Sequence, residues 1–252
     1  MMSTGQHVAL ALVALAAGVV DAIGGGGGLV TVPALLAFGL PPHLALATNK
    51  GQSVFGSAAA LVRFSRAGLV PWRRARWTWP LGFSGALLGA AAMLRVRPEV
   101  LRPLVLGLLL AAALFLVLGR APSSPGAAGP RGTLLAGALA LAVGAYDGFF
   151  GPGTGTFLVV GLAALLGLPL RQASAEAKVI NFASNLAAML LFAWRGVVVW
   201  PVALPMAAGQ LAGGWIGAHL TVRGGDRVVR WVVLAVVAVL VLKLAGDWLR
   251  AA

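Results

Sequence analysis

The sequence predicts an all-α polytopic membrane protein that consists of two duplicated halves. Of its 252 residues 60% are apolar, and the mean hydropathy is +0.95, so a soluble globule would lack the polar surface to cover itself. Several apolar windows approach the roughly 20 residues that cross a bilayer as a helix, and none alternates like a barrel strand. A glycine-rich motif of the first half recurs in the second. We expect each half to hold one glycine-broken segment, re-entrant or spanning, plus three transmembrane helices, about eight membrane segments in all.

Positive charge is concentrated at the ends of the apolar runs. The formal net charge of +13 would suggest nucleic acid in a soluble protein. Here, however, five arginines bracket one short connection, as the positive-inside rule predicts for a cytoplasmic loop. We therefore expect a multi-pass protein of the bacterial cytoplasmic (inner) membrane, with the lipid bilayer and no nucleic acid as partner. The loop arginines are Arg63, Arg66, Arg73, Arg74 and Arg76.

Several chemistries are excluded by missing residues and motifs. The chain has no cysteine, so it has no disulfide, thiolate metal site or thiol nucleophile. Its three histidines, His7, His43 and His219, lie far apart without metal-ligand spacing. No GxSxG or HExxH motif is present. We therefore predict neither an enzyme nor a bound cofactor or metal.

The first half, residues 1–118, begins with two short apolar segments. The first, 8–20, ends at Asp21 and the run Gly24–Gly28, and the second, 29–40, stops at Pro41 because proline cannot continue the helix. Together they predict a broken hairpin or one discontinuous helix. Three longer segments follow, at 43–64, 77–94 and 100–118.

A linker and a second half complete the chain. Residues 119–132 are the only stretch rich in Pro, Gly and Ser, which is typical of a connection between two halves. Residues 133–252 repeat the order of the first half around a second break at Gly151–Gly155. The predicted segments are 134–143, 156–168, 173–194, 197–220 and 228–249.

A constant offset of 128 residues relates the two halves. Lys50 and Lys178 are related in this way, whereas Asp21 and Asp147 differ by 126, which places a two-residue insertion in the second copy. Chance does not align so many sparse residue types, so we infer an internal duplication. The other pairs at 128 are Gly39 and Gly167, Pro41 and Pro169, Gly68 and Gly196, Trp72 and Trp200, Gly85 and Gly213, Gly89 and Gly217, Arg95 and Arg223, and Arg102 and Arg230.

The threading of the glycine-broken segments decides whether the halves are parallel or inverted. If each segment crosses the membrane, every half has four spans and the halves are parallel. If each re-enters, every half has three spans and they are inverted. The sixteen arginines divide eleven to five in the re-entrant arrangement and nine to seven in the other. The positive-inside rule therefore favours inverted halves with both termini outside.

Two signature stretches resemble a known family. The first copy contains GGGGGLVTVP, GLPPHLALATNK and FGS, and the second contains GAYDGFFGPGTGTFL and AKVINFASN. These are similar to the paired signatures of the sulfite exporter TauE/SafE family of bacterial membrane transporters, across nearly the whole chain. The resemblance implies a secondary transporter of small, often sulfur-containing anions such as sulfite. Glu176 stands where it leads us to expect a small or hydroxyl residue.

The glycine breaks and two lysines predict an anion-binding cavity. Freed backbone amides in a membrane must be satisfied by protein, water or ligand, and transporters aim such helix N-termini at anions. The breaks could instead serve only close packing or a tight turn. Lys50 and Lys178 would face each other across the axis that relates the halves and give a +2 site, unless they pair with carboxylates or reach an interface. The candidate backbone residues are Gly26, Gly27, Gly28, Gly153, Thr154 and Gly155.

Polar residues near the lysines extend the candidate site. Thr48, Asn49, Asn181 and Asn185 could contact substrate or form interhelical hydrogen bonds. The carboxyl groups that could carry a coupled proton are Asp21, Asp147 and Glu176, because burial raises a carboxyl pKa. A structural role, held by freed amides or a lysine, is the alternative for the two aspartates.

These patterns predict a secondary transporter that exports a small anion, such as sulfite or an organosulfonate, by alternating access between the two repeats. The alternative is an anion channel, or a membrane scaffold or partner subunit without carrier activity. The identity of the anion, the coupling ion and the oligomeric state stay open at this point.

Overall fold

The computed structural model describes residues 3–97, 99–100, 104 and 129–251, with side chains up to residue 235. Most of the predicted segment 100–118 and most of the linker 119–132 lie outside the described residues. Within these ranges the chain forms eight helices and no strand, which confirms the all-α polytopic prediction. The helices are α1 Thr4–Gly24, α2 Gly28–Ala37, α3 Pro42–Arg66, α4 Trp72–Met93, α5 Gly129–Phe149, α6 Thr154–Leu166, α7 Leu170–Trp194 and α8 Trp200–Ala251.

The first segment of each half is longer than predicted. The sequence predicts segments at 8–20, too short to span alone, and at 134–143, whereas α1 and α5 each have 21 residues. Helix α1 begins at a capping box between Ser3 and Gln6 and continues past Asp21, because partners elsewhere in the fold satisfy this carboxylate. By length and apolarity α1, α5 and α7 could each cross a membrane.

Helix α8 contains a break at the boundary that the sequence predicts between two segments. Gly225 has φ 61° and ψ −154°, a left-handed value of φ that glycine adopts without steric cost. The part of α8 before Gly225 runs alongside α1.

Glycines align α1 with α8 in a parallel pair. A Cβ on Gly209 would lie 2.2 Å from the Ala11 carbonyl oxygen, and one on Gly213 would lie 2.1 Å from that of Leu15. A side chain at either glycine would therefore separate the backbones. Helices α4 and α5 form an equivalent parallel pair, in which Gly85 packs on Leu141. The small-residue spacing thus serves packing within the chain.

Contacts with α7 show in which direction α1 and α4 run relative to that helix. Along α1, Asp21 binds Lys178 and Ile23 accepts a hydrogen bond from Ser174, so α1 and α7 are antiparallel. Along α4, Arg74 contacts Glu176 and, two turns later, Gly82 packs on Ile180, so α4 and α7 are parallel.

The equivalent long helices α3 and α7 run in opposite directions. Both have 25 residues, and they begin 128 residues apart. Gly51 and Gly56 of α3 pack on Ala203 and Gln210 of α8, so α3 runs parallel to α8 and to α1, and therefore antiparallel to α7. This is the geometry of inverted halves.

The helices form two bundles, each of which contains helices of both halves. The first bundle consists of α1, α2, α3 and α8, and the second of α4, α5, α6 and α7; α3 and α7 provide most of the contact between them. The fourth helix of each sequence half therefore packs in the other half's bundle. This exchange arises because glycines on one face of α8 allow it to pack closely on α1, and glycines of α4 allow it to pack closely on α5.

The glycine breaks are hairpins rather than discontinuous helices. After Gly25 the chain turns, and Leu35 near the end of α2 joins the apolar cluster of Leu10 and Ala14 of α1. Since α2 returns towards the side where α1 begins, the turn lies inside the protein. The break at Gly151–Gly155 turns α5 into α6 on the other side of the bundle interface.

Candidate functional site

A small polar cavity lies between the bundles, at the point where the two glycine turns meet. Its volume is about 20 Å³, room for about one water molecule. Both halves contribute, as do most of the predicted site residues; the lining adds Ser53 and Gly151, the first residue of the second glycine break. The lining residues are Asp21, Gly26, Gly28, Asn49, Lys50, Ser53, Asp147, Gly151, Gly153, Thr154, Gly155, Asn181 and Asn185.

Two reciprocal ion pairs cross the bundle interface at this cavity. Lys50 Nζ lies 2.6 Å from Asp147 Oδ1, and Lys178 Nζ lies 2.6 Å from Asp21 Oδ2. Each lysine thus binds the aspartate of the other half. Of the two alternatives that the sequence left open, the lysines pair with carboxylates and do not form a +2 site. The four charges cancel, and a buried ammonium without a partner would be strongly unfavourable.

The Lys50–Asp147 pair is enclosed by further polar groups. Ser184 donates to Asp147 Oδ2 at 2.5 Å, and Lys50 also donates to Asn185 Oδ1 at 3.1 Å. Gly151 covers the ammonium, since a Cβ there would lie 2.8 Å from Lys50 Nζ. The side chains of Lys50 and Asp147 are 3% and 2% exposed.

The Lys178–Asp21 pair is more open. Lys178 also donates to Asn181 Oδ1 at 3.3 Å, and the backbone N–H of Gly27 donates to Asp21 Oδ1 at 3.2 Å. The Asp21 side chain is 19% exposed, about ten times the fraction of Asp147. Of the four charged side chains at the cavity, Asp21 is therefore the most exposed.

Glycine permits the two turns to touch. A Cβ on Gly25 would lie 2.1 Å from the carbonyl carbon of Gly155, and Gly25 has φ +80°, so both space and backbone conformation require glycine. Helices α2 and α6 begin directly after the turns, at the N-cap residues Gly27 and Gly153. The N-termini of the two helices therefore carry partial positive charge at the cavity.

Side chains fix both turns in place. Thr31 donates to Asn49 Oδ1 at 2.6 Å and to the Gly27 carbonyl at 3.1 Å, which ties the first turn to α3. In the second turn Tyr146 donates to the Pro152 carbonyl at 2.7 Å, and Thr154 donates to that of Gly151 at 2.6 Å. The predicted role of Asn49 near the site is thus partly structural.

Glu176 and Thr48 lie away from the cavity. Glu176 accepts two hydrogen bonds from Arg74, at 2.6 and 2.7 Å, and Thr48 accepts one from the Val199 amide at 3.1 Å. Each is two residues from a site lysine, which on a helix is a rotation of about 200°. The structure therefore does not bring these two predicted site residues into the cavity. Among the described residues no group of three His, Asp or Glu side chains could hold a metal ion.

Comparisons with known proteins give a consistent result. A family model described as Sulfite exporter TauE/SafE matches residues 10–244. A curated protein of Escherichia coli K12, "Probable membrane transporter protein YfcA", is 37% identical over 94% of this chain and 89% of its own length. "Probable membrane transporter protein ORF9" of a Sinorhizobium species is 36% identical over 94% of this chain and 92% of its own. A Haemophilus influenzae relative named "Probable membrane transporter protein" is 36% identical over 93% and 92%. No solved structure shows a significant match.

Proposed function

Because this chain belongs to the sulfite exporter TauE/SafE family, we propose that this membrane transporter exports a small anion, sulfite or an organosulfonate, by alternating access. The observation that carries the proposal is the cavity with its two ion pairs across the bundle interface. Buried ionisable groups in a membrane protein are costly and typically mark a substrate or ion pathway. Helix N-termini at the same point favour an anion.

The small size of the cavity supports a carrier rather than an open pore. A volume of about 20 Å³ holds roughly one water molecule, so an oxyanion with several heavy atoms enters only if the bundles move apart. We propose that the bundles, and not the sequence halves, are the moving units, since both ion pairs join one bundle to the other. Inverted helix directions would give two related openings, one on each side of the membrane.

The distribution of arginines supports an orientation in the bacterial inner membrane. The first turn of α4 carries Arg73 and Arg74. The start of α7 with Arg171 lies at the same end of the bundles, because Arg74 contacts Glu176. The positive-inside rule places this end in the cytoplasm. The N-terminus of α1 then lies outside.

Counterflow in proteoliposomes tests the proposal. Vesicles that contain the purified 252-residue chain are loaded with unlabelled sulfite or methanesulfonate and diluted into a trace of the labelled anion. A carrier accumulates label transiently because it exchanges bound substrate. A channel gives only equilibration and a scaffold gives no flux, and either result would replace the carrier by the alternative that the sequence left open.

A further inference from the structure

The two ion pairs of the cavity differ in access, and this difference assigns them different roles. We propose, on the basis of the transport function above, that Asp21 is the proton-coupling residue and that its carboxylate occupies the position of the substrate anion in the unloaded carrier. One proton on Asp21 and one monovalent oxyanion then enter the site together. Lys50 and Asp147 keep their opposite charges and do not take part in the exchange.

The ligands of the Asp21 carboxylate are those that a sulfonate would use. Oδ2 accepts from the Lys178 ammonium at 2.6 Å, and Oδ1 accepts from the Gly27 amide at the start of α2 at 3.2 Å. An ammonium and a helix N-terminal amide are a suitable pair of donors for an oxyanion. Protonation removes the negative charge of Asp21 and so weakens its hydrogen bonds with both donors. The anion then takes the place of the carboxylate beside Lys178 and the Gly27 amide.

Asp147 is less suited to the same exchange. Its two oxygens bind Lys50 at 2.6 Å and Ser184 at 2.5 Å, and its side chain is 2% exposed against 19% for Asp21. Gly151 lies directly against the Lys50 ammonium. An anion that replaced Asp147 would have to displace the second glycine turn as well.

The charge balance of the cavity requires the proton and the anion to move together. The groups that face Asp21 are Lys178 of α7 and the turn amide of Gly27, and Gly155 lies close to its Oδ1. Lys50 and Asp147 complete the charged set, and α8 presents glycines to α1. The four charges sum to zero. An anion alone leaves −1 and a proton alone leaves +1 in a buried site, and both are unfavourable. An anion together with a proton leaves the site with a net charge of zero.

Electroneutral symport follows from this balance. The membrane potential then does no work on the loaded carrier, and net flux follows the combined gradients of anion and proton. Export occurs when the outward anion gradient exceeds the inward proton gradient. Anion binding also strengthens as pH falls, because the bound state carries the proton.

Methanesulfonate is the probe that tests this coupling. It is a permanent monoanion, so any cotransported proton resides on the protein. In proteoliposomes of the wild-type chain we expect uptake to follow an imposed pH gradient, to acidify the lumen, and to be unchanged by a potassium diffusion potential. Uptake driven by the potential and insensitive to the pH gradient would overturn the coupling while leaving the carrier intact. Absence of counterflow for methanesulfonate, isethionate and sulfite would overturn the transport function and this proposal with it.

The variant Asp21→Asn separates coupling from exchange. An amide cannot release a proton, so we expect counterflow to persist while net, pH-driven uptake falls at least about tenfold, because the empty carrier would return with an unpaired charge. Thermal stabilisation by methanesulfonate, which should weaken as the pH is raised in the wild type, should lose its pH dependence in the variant. The same change at exposed Asp226 is the control and should alter neither measurement. Wild-type coupling or an unchanged pH dependence in Asp21→Asn would contradict the proposal.

Discussion

Lys50 of α3 and Asp147 of α5 form a buried ion pair, with 2.6 Å between Nζ and Oδ1, that joins the two helix bundles. The Lys178–Asp21 pair repeats the relationship with the halves exchanged. If the bundles move apart to open the cavity to either side of the membrane, both ion pairs must break or rearrange. The pairs therefore belong to the closed conformation and set its stability.

Removal of one partner of the enclosed pair should destabilise the protein. Lys50→Met leaves Asp147 buried without its ammonium, which costs about 3–5 kcal/mol in comparable buried pairs. We expect a lower unfolding temperature in detergent and no counterflow. The double variant Lys50→Met with Asp147→Asn should recover most of the unfolding temperature, since no unpaired charge remains. Equal destabilisation by the single and the double variant would show that the pair contributes no coupling energy.

The contact between the two glycine turns should not tolerate a methyl group. In Gly25→Ala the new Cβ would lie 2.1 Å from Gly155 backbone atoms, so we expect loss of folded protein in size-exclusion chromatography. Gly39→Ala is the matched control, because Gly39 also has a positive φ of 89° but nothing within 4 Å of its Cβ. It should lose only about 1–2 kcal/mol of backbone conformational energy. Similar behaviour of both variants would mean that conformation, and not contact, requires glycine at position 25.

Glu176 should prove structural rather than coupling. Glu176→Gln weakens a bidentate contact with Arg74, so we expect a lower unfolding temperature but an unchanged dependence of methanesulfonate uptake on the pH gradient. The control is Glu99→Gln at an exposed position, which should change neither. A loss of pH-driven uptake in Glu176→Gln would restore the coupling role that the sequence suggested.

Because the chain contains no cysteine, a single introduced cysteine can be labelled specifically and can report access to the cavity. Ser53 lines the cavity, whereas Ser57, one turn further along α3, is fully buried and does not. In Ser53→Cys we expect slow modification by a charged methanethiosulfonate reagent, because the cavity must open first, and protection by substrate. Ser57→Cys should remain unmodified. Equally fast modification of both would indicate local unfolding instead of a gated cavity.

Much of the fold and the site was predictable because local patterns encode it. Apolar runs set the helices, and the offset of 128 residues picked out Lys50 with Lys178. Asp21, Asp147 and both glycine turns were recognisable as polar or flexible residues in apolar surroundings. Helix ends were less predictable: α1 and α5 continue past their aspartates because a lysine more than 90 residues away in sequence binds each carboxylate.

By itself, the sequence determined that this is a helical membrane protein with two glycine-broken turns and four intramembrane charges near them. The tertiary structure alone decided how those charges combine: each lysine pairs with the aspartate of the opposite half, the expected +2 site is neutral, and Glu176 points to Arg74. The reason is that composition and periodicity report which groups are buried, whereas pairing depends on helix directions and on the exchange of α4 and α8 between bundles. Those are set by side-chain contacts between segments far apart in the chain.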